Sequence, residues 1–370
     1  MAKSILNLSR RQALRIGGAA LAAPMLSLST RPLWAQDMTK VALTLPWVAN
    51  GSNYWPMLGK ELGIYADQGI DVEVSRGFGS VAAAQAVANE QFDFGVVFAS
   101  GNMLAQARGL DLMVLATIYY DATMGIATLA DSGISAPADL EGKTLGMVPT
   151  SAEAPFWPAF AEKAGIDTSK VEIVQIDSKV IERTMMNGQV DAITAIGSSS
   201  IPNIAAAGAD LRFMLWSDFG VELYAAQIVT RREIYENNPE LCQKVVDATL
   251  GSYAHTLKNP EESIEAFAKI VPEVGLTANG LASAKISQGI AQLVTLRAEA
   301  MDNALGYSDL SKIPGMMQSV LDLGTVDNPV VPPTEELITN EFIGNVTLSP
   351  EEWAAVETAN AEYAKYFGKA

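Results

Sequence analysis

The sequence predicts an α/β protein of two lobes, each built on βαβ units, with two crossing strands between them. Three observations carry this. Short apolar runs alternate with helical stretches from Lys40 onward, one strand-helix-strand unit occurs twice, and two extended apolar segments bracket the second copy. Strands separated by helices of this length imply parallel sheets with right-handed crossovers.

Taken in order, the runs Val41–Leu45, Ile70–Val74, Phe92–Phe98 and Met113–Ile118 read as strands. Between them, Tyr54–Gln68, Val81–Asn89 and Met103–Arg108 read as helices. The segment Gly69–Gly101 is answered by Gly165–Ser199, each copy holding a strand, a helix, a turn of the form Asn-x-Gln-x-Asp and a second strand ending in small residues. The turns begin at Asn89 and Asn187, 98 residues apart, which makes two lobes of similar architecture the expectation, against chance likeness of generic βαβ units. Tyr119–Ala130 and Val221–Thr230 read as the two crossings. Lobe 1 then takes residues 38–123 and a returning part within 223–370, and lobe 2 takes 124–222. Beyond Arg231 the chain turns helical, with Pro239 and Pro260 suited to first helical turns, and the tail bearing Pro329, Pro332 and Pro333 is expected to wrap lobe 1.

Residues 1–35 read as a cleavable leader with a cut after Ala35. Its apolar run Ile16–Leu28, 13 residues broken by Gly17, Gly18 and Pro24, is too short to span a bilayer. Arg10-Arg11 followed by Gln12-Ala13-Leu14 resembles a twin-arginine export signal, an ordinary secretory signal being the alternative with the same periplasmic destination. Removing the leader takes away five basic residues and no acid, leaving 20 basic against 42 acidic residues, a net charge of −22. Such a chain is repelled by phosphate backbones and anionic lipid heads, so no nucleic-acid partner and no direct membrane insertion are expected, and a free monomer is favoured. With Cys242 as the single cysteine, stability has to come from a hydrophobic core.

Ligands of open parallel sheets bind beyond the carboxyl ends of the strands. After the first strand come Trp47, Asn50 and Tyr54; after the second, Phe78, Gly79 and Ser80; after the third, Ala99, Ser100 and Gly101. The matching places in lobe 2 hold Thr150, Ser151, Glu153 and Trp157, then Gly197 and Ser198, while Tyr120 and Tyr224 lie near the crossings. Flat aromatic faces mixed with amides and hydroxyls suit a planar or uncharged polar ligand. The aromatics equally suit a core, and the small residues equally suit turns and helix caps.

Catalysis finds little support. A single histidine, His255, falls in a helix, and one histidine with one cysteine supplies no zinc or iron ligand cluster, so neither metal nor cofactor is expected. Gly77-Phe78-Gly79 is no dinucleotide fingerprint, because position 82 is Ala where the third glycine belongs. Neither a nucleophile elbow nor a phosphate-cradling loop occurs.

Leu45-Pro46-Trp47, Asn50, Tyr54 and Gly59–Val74 resemble the opening of the NMT1/THI5-like family, as do Ser80–Asn89 and the turn Asn89–Asp93. The resemblance covers most of residues 40–270. It implies the type II periplasmic binding protein fold and the role of a substrate-binding protein that delivers a small organic molecule, pyrimidine-like or otherwise aromatic or sulfonate-type, to an ABC-type permease. The family also holds a fungal enzyme of thiamine-pyrimidine synthesis, which uses a histidine of its own and a cysteine-rich iron motif; His255 and Cys242 depart from both. A ligand-sensing module is the remaining alternative. Carried onto this chain, the family's contacts fall on Trp47, Asn50, Phe78–Ser80, Ala99–Gly101, Thr150–Glu153 and Gly197–Ser198, with Arg76 the one base in these loops.

Overall fold

A computed structural model describes residues 38–149, 151–323 and 326–368. The leader, residues 1–35, and Thr150 therefore lie outside the described residues. In chain order the strands and principal helices of the first half are β1 (Thr39–Thr44), α1 (Trp55–Glu61), β2 (Ile70–Ser75), α2 (Ser80–Ala88), β3 (Phe94–Phe98), α3 (Ala99–Ala107) and β4 (Leu112–Thr117). There follow β5 (Met124–Leu129), β6 (Thr144–Met147), α4 (Trp157–Lys163), β7 (Glu172–Gln175), α5 (Ile181–Met186), β8 (Ala192–Ile196), α6 (Gly197–Ala206), β9 (Leu211–Leu215) and β10 (Ala226–Arg231). The returning part carries α7 (Pro239–Lys258), α8 (Pro260–Ile270), α9 (Ala278–Leu293) and α10 (Pro350–Asn360).

Two five-stranded sheets result, ordered β2-β1-β3-β10-β4 and β7-β6-β8-β5-β9. The orders are the same in kind. In each, one strand, β1 or β6, pairs in parallel with the two that follow it in the chain, and one antiparallel strand, β10 or β5, is inserted before the last. β4 is buried along its whole length and β10 along all but its last residue, as strands covered on both faces are. The twin turns explain why their aspartates recur. Asp93 accepts a hydrogen bond from the Ala42 N–H at 2.9 Å, and Asp191 accepts from the Thr144 N–H and hydroxyl at 2.8 Å each. Asp93 thus clamps the turn before β3 to β1, and Asp191 clamps the turn before β8 to β6.

Several expectations shift in detail. The helix over Tyr54–Gln68 breaks after Glu61, because Gly63 takes a left-handed φ of 77° and a second short helix, Ile64–Asp67, starts there. Met103–Arg108 is only the end of α3, which begins at Ala99, so Ala99, Ser100 and Gly101 form its first turn. The crossings are narrower than Tyr119–Ala130 and Val221–Thr230: β5 and β10 are full members of the two sheets, leaving the passages near 118–123 and 220–225. These passages run antiparallel and are tied by Ala122 N–H to Leu223 O at 2.9 Å and Ala225 N–H to Tyr119 O at 2.8 Å.

Pro239 and Pro260 do open helices. The tail, however, does not stay on lobe 1. Ile338 bridges to Val114 of β4 and shields that edge, but α9 lies along α6, and Phe367 enters the lobe 2 core with its ring 5.8 Å from that of Phe213. Ile201 and Ile204 of α6 and Phe213 of β9 share one apolar cluster with Ile290 of α9 and Phe367, so the returning chain completes the burial that α5 begins.

Candidate ligand-binding cleft

A cleft of ≈ 1070 Å³ opens between the carboxyl ends of the two sheets, with α8 and α9 along one side. That capacity lies just above the ~300–1,000 Å³ usual for small-molecule sites.

The lobe 1 wall starts with the loop after β1. Asn50 accepts from the Ser52 N–H and hydroxyl at 2.9 and 2.8 Å, and Asn53 accepts from the Asn50 N–H at 2.8 Å and donates to Val48 O at 3.1 Å. These bonds hold the loop rigid and set Trp47, half-buried, on the cleft surface. The loop after β2 is laced to it by Gly77 N–H to Trp47 O at 3.1 Å and Gly79 N–H to Pro46 O at 3.0 Å. Gly77 is required there, since a Cβ would sit 2.0 Å from Leu45 O. The lacing presents Phe78, whose side chain is left 68% exposed with the Arg76 guanidinium 4.5 Å over its ring. Ser80, at the start of α2, accepts from the Phe98 N–H at 3.1 Å and closes this wall.

The lobe 2 wall is of another kind. Glu153 is 2% exposed, and its Oε1 accepts from the Ser151 hydroxyl at 2.6 Å and the Thr194 hydroxyl at 3.3 Å. Its Oε2 is out of water and has no hydrogen-bond partner. Burial lifts the Glu153 carboxyl above its usual 4.5, and the Ser151 hydroxyl offsets part of that rise. Glu182, on α5, is lifted in the same direction by burial, and its Oε1 accepts from the Ser200 hydroxyl at 2.9 Å and Asn203 Nδ2 at 3.4 Å. Asn203 in turn accepts from the Ser283 hydroxyl at 2.9 Å, and the Ser287 hydroxyl donates to Ser198 O at 2.6 Å, so α9 fixes α6 in place.

Of the residues picked from the sequence, Trp47, Asn50, Phe78, Gly79, Ser80, Ser151 and Glu153 line this cleft together. The others do not. Tyr54 is fully buried, stacked on Phe267 at 4.5 Å and hydrogen-bonded to Gln288, because α8 and α9 cover the start of α1, which it immediately precedes. Ala99, Ser100 and Gly101 are buried under α2, with Gly101 packed on the Ser80 backbone. Trp157 is buried in the lobe 2 core, 6.0 Å from Phe160, which stacks on Trp216 at 4.9 Å. Gly197 and Ser198 lie beneath the surface, held by the Gly197 N–H to Thr123 O at 2.7 Å, while their neighbour Ser199 reaches the cleft. Tyr120 and Tyr224 meet edge to face at 5.5 Å and line a separate hollow of ≈ 260 Å³ beside the crossings.

The sequence reading missed Lys179 and Glu182 after β7, Asn203 on α6, and Phe267 and Ser283 from the returning helices. The doubled unit holds a usable signal for the first two, because the loop after β7 is the counterpart of the loop after β2. Nothing local marks the others, which reach the cleft only through packing.

The sequence profile of the family described as NMT1/THI5 like matches residues 55–263, more than half of the chain. The chain belongs to the NMT1/THI5-like family. Among its relatives is a formylaminopyrimidine-binding protein of Halalkalibacterium halodurans, 23% identical over 231 residues, covering 62% of this chain and 70% of that one. A 4-amino-5-hydroxymethyl-2-methylpyrimidine phosphate synthase of Legionella pneumophila is 23% identical over 241 residues, covering 64% and 75%. The riboflavin-binding protein RibY of Chloroflexus aurantiacus is 22% identical over 311 residues, covering 83% and 86%. A solved structure from Methylobacillus flagellatus, described as the periplasmic sulfonate-binding protein SsuA of a putative sulfonate ABC transporter, superposes with a TM-score of 0.56 at 16% identity, covering 90% of this chain and 97% of that one. At that identity the likeness speaks for the fold, which this NMT1/THI5-like chain shares.

Proposed function

We propose that this protein is a substrate-binding protein that captures a small planar organic molecule outside the cytoplasm and delivers it to an ABC-type importer. The observation that carries the reading is the cleft itself: ≈ 1070 Å³, walled by strand ends of both sheets, with an aromatic ring 68% exposed at its mouth. An aromatic ring held exposed on a laced loop, within the same concavity as Trp47, offers a flat face on which a bound ring can stack. Relatives named for binding formylaminopyrimidine and riboflavin support a ligand with a planar heterocycle. Trp47, Asn50, Phe78, Ser80, Ser151 and Glu153 are the residues assigned to contact it, and no helix among the described residues is long and apolar enough to cross a membrane.

The synthase relative raises catalysis as a second reading, and the reactive side chains argue against it. Cys242 is buried at lobe 1, its thiol pushed up to about 12 by burial, and His255 is half-buried on α7; neither lines the cleft. Binding with no bond made accounts for the site.

Closure then rests on the passages near 118–123 and 220–225, the places where the chain leaves one sheet for the other. Denaturing the purified protein and identifying the released molecule by mass spectrometry tests the reading. A heterocycle recovered in near-stoichiometric amount, together with a smaller radius of gyration on reloading, is the expected result; conversion of that molecule to a product would overturn it.

A further inference from the structure

Of the charged groups that line the cleft, Arg76, Lys179 and Glu273 are exposed, whereas Glu153 is buried and Glu182 is half-buried, so both bases are at the surface. An anionic ligand seated inside would face two carboxylates with no buried cation beside it. Glu153 is also unfinished: one oxygen takes hydrogen bonds from Ser151 and Thr194, and the other, excluded from water, takes none. A buried acceptor left without a donor is destabilising, the more so if it is ionised, and an ionised carboxylate can only accept. In the ionised state the missing partner is therefore a donor. Opposite stand Trp47 and the exposed ring of Phe78, surfaces for a flat apolar face.

Resting on the reading of the cleft as a ligand site, we propose that Glu153 is its specificity determinant. It accepts an N–H from an amino group or protonated ring nitrogen of a planar heteroaromatic ligand, and so excludes sulfonates and other oxyanions although the fold is shared with a sulfonate-binding protein. Discrimination comes from both sides: the right ligand completes the Glu153 hydrogen bonds, and an oxyanion adds a like charge while leaving Oε2 bare.

The full chain, stripped of any co-purified molecule by unfolding and refolding, is titrated calorimetrically with 4-amino-2-methylpyrimidine, 2-methylpyrimidine and benzenesulfonate. The amine-bearing ring is expected to bind about ten- to a hundredfold more tightly than the amine-free ring, the range of a hydrogen bond to a charged group, and benzenesulfonate is expected not to bind. Glu153→Gln should bring the two pyrimidines within about threefold of each other, whereas Phe78→Ala should weaken both and keep their ratio. Should Glu153→Gln fail to fold, the wild-type ratio decides alone. Equal binding of the two pyrimidines, tighter binding of benzenesulfonate, or no binding of the amine-bearing ring would overturn the proposal. An oxyanion recovered from the native protein would overturn it too, yet leave the substrate-binding reading intact; a protein that yields and binds no small molecule at all would sink both.

Discussion

The two lobes repeat one sheet order and one aspartate clamp, but they spend the same positions differently. Behind β3, position 101 is a glycine pressed against α2, and a Cβ there would come within 2.6 Å of Ser80 Cβ and 2.7 Å of its backbone carbon. Behind β8, the matching position is Ser199, which carries its side chain to the cleft. Lobe 1 has closed this place for packing and offers aromatics from its first two loops; lobe 2 has kept it open and lines its wall with carboxylates and hydroxyls. A duplicated scaffold fixes where loops end up, and local packing decides which of them a ligand can reach.

Grafting one lobe's residue onto the other is the sharpest way to break this comparison. Gly101→Ser, which gives lobe 1 the residue of lobe 2, forces α2 and α3 apart and should cost about 3 kcal/mol or more, read by urea unfolding; Ser199→Gly should cost about 1 kcal/mol or less. The clamps come next. Asp93 also pairs with Arg231 at 3.7 Å, and that arginine, only 14% exposed, keeps its bonds to Val87 O and Phe92 O, so Asp93→Ala removes the countercharge and the Ala42 clamp together and should cost about 2 kcal/mol. Asp191→Ala, at an exposed turn, should cost about 1 kcal/mol. The Thr144 N–H holds the Asp191 carboxyl below its usual 3.8, so its contribution is present above that value and is lost as pH falls through the lowered one. A pH series from neutral to acid should therefore show less acid sensitivity in Asp191→Ala than in the wild type.

The smallest effect concerns the residue after each turn asparagine. Glu90 holds φ at 61°, and its counterpart Gly188 holds 68° with open space around it. Glu90→Gly should raise stability by about 0.5 kcal/mol, and Gly188→Glu should lower it by about 1 kcal/mol, both visible as shifts in the thermal midpoint. Equal and opposite changes would mean that the two turns are interchangeable.

Much of this arrangement is legible in the chain alone. The alternation of strands and helices, the doubled unit, the helix-opening prolines and the loops holding Trp47, Phe78 and Glu153 follow from patterns a few residues long, because hydrophobic period, turn chemistry and capping are local. The tertiary structure decided what local pattern cannot encode. Tyr54, Trp157, Ser100 and Ser198 have the composition of site residues, yet α8 and α9, the lobe 2 core and α2 cover them, and such covering depends on segments as far away as Gln288. It also brought Phe267 and Ser283 to the cleft from the returning helices, and buried one carboxylate with a bare oxygen where the sequence shows only a glutamate among small residues. Burial is a property of what the rest of the chain does, so the sequence by itself determined which loops could form a site, and only the packing of distant helices decided which of their side chains face it.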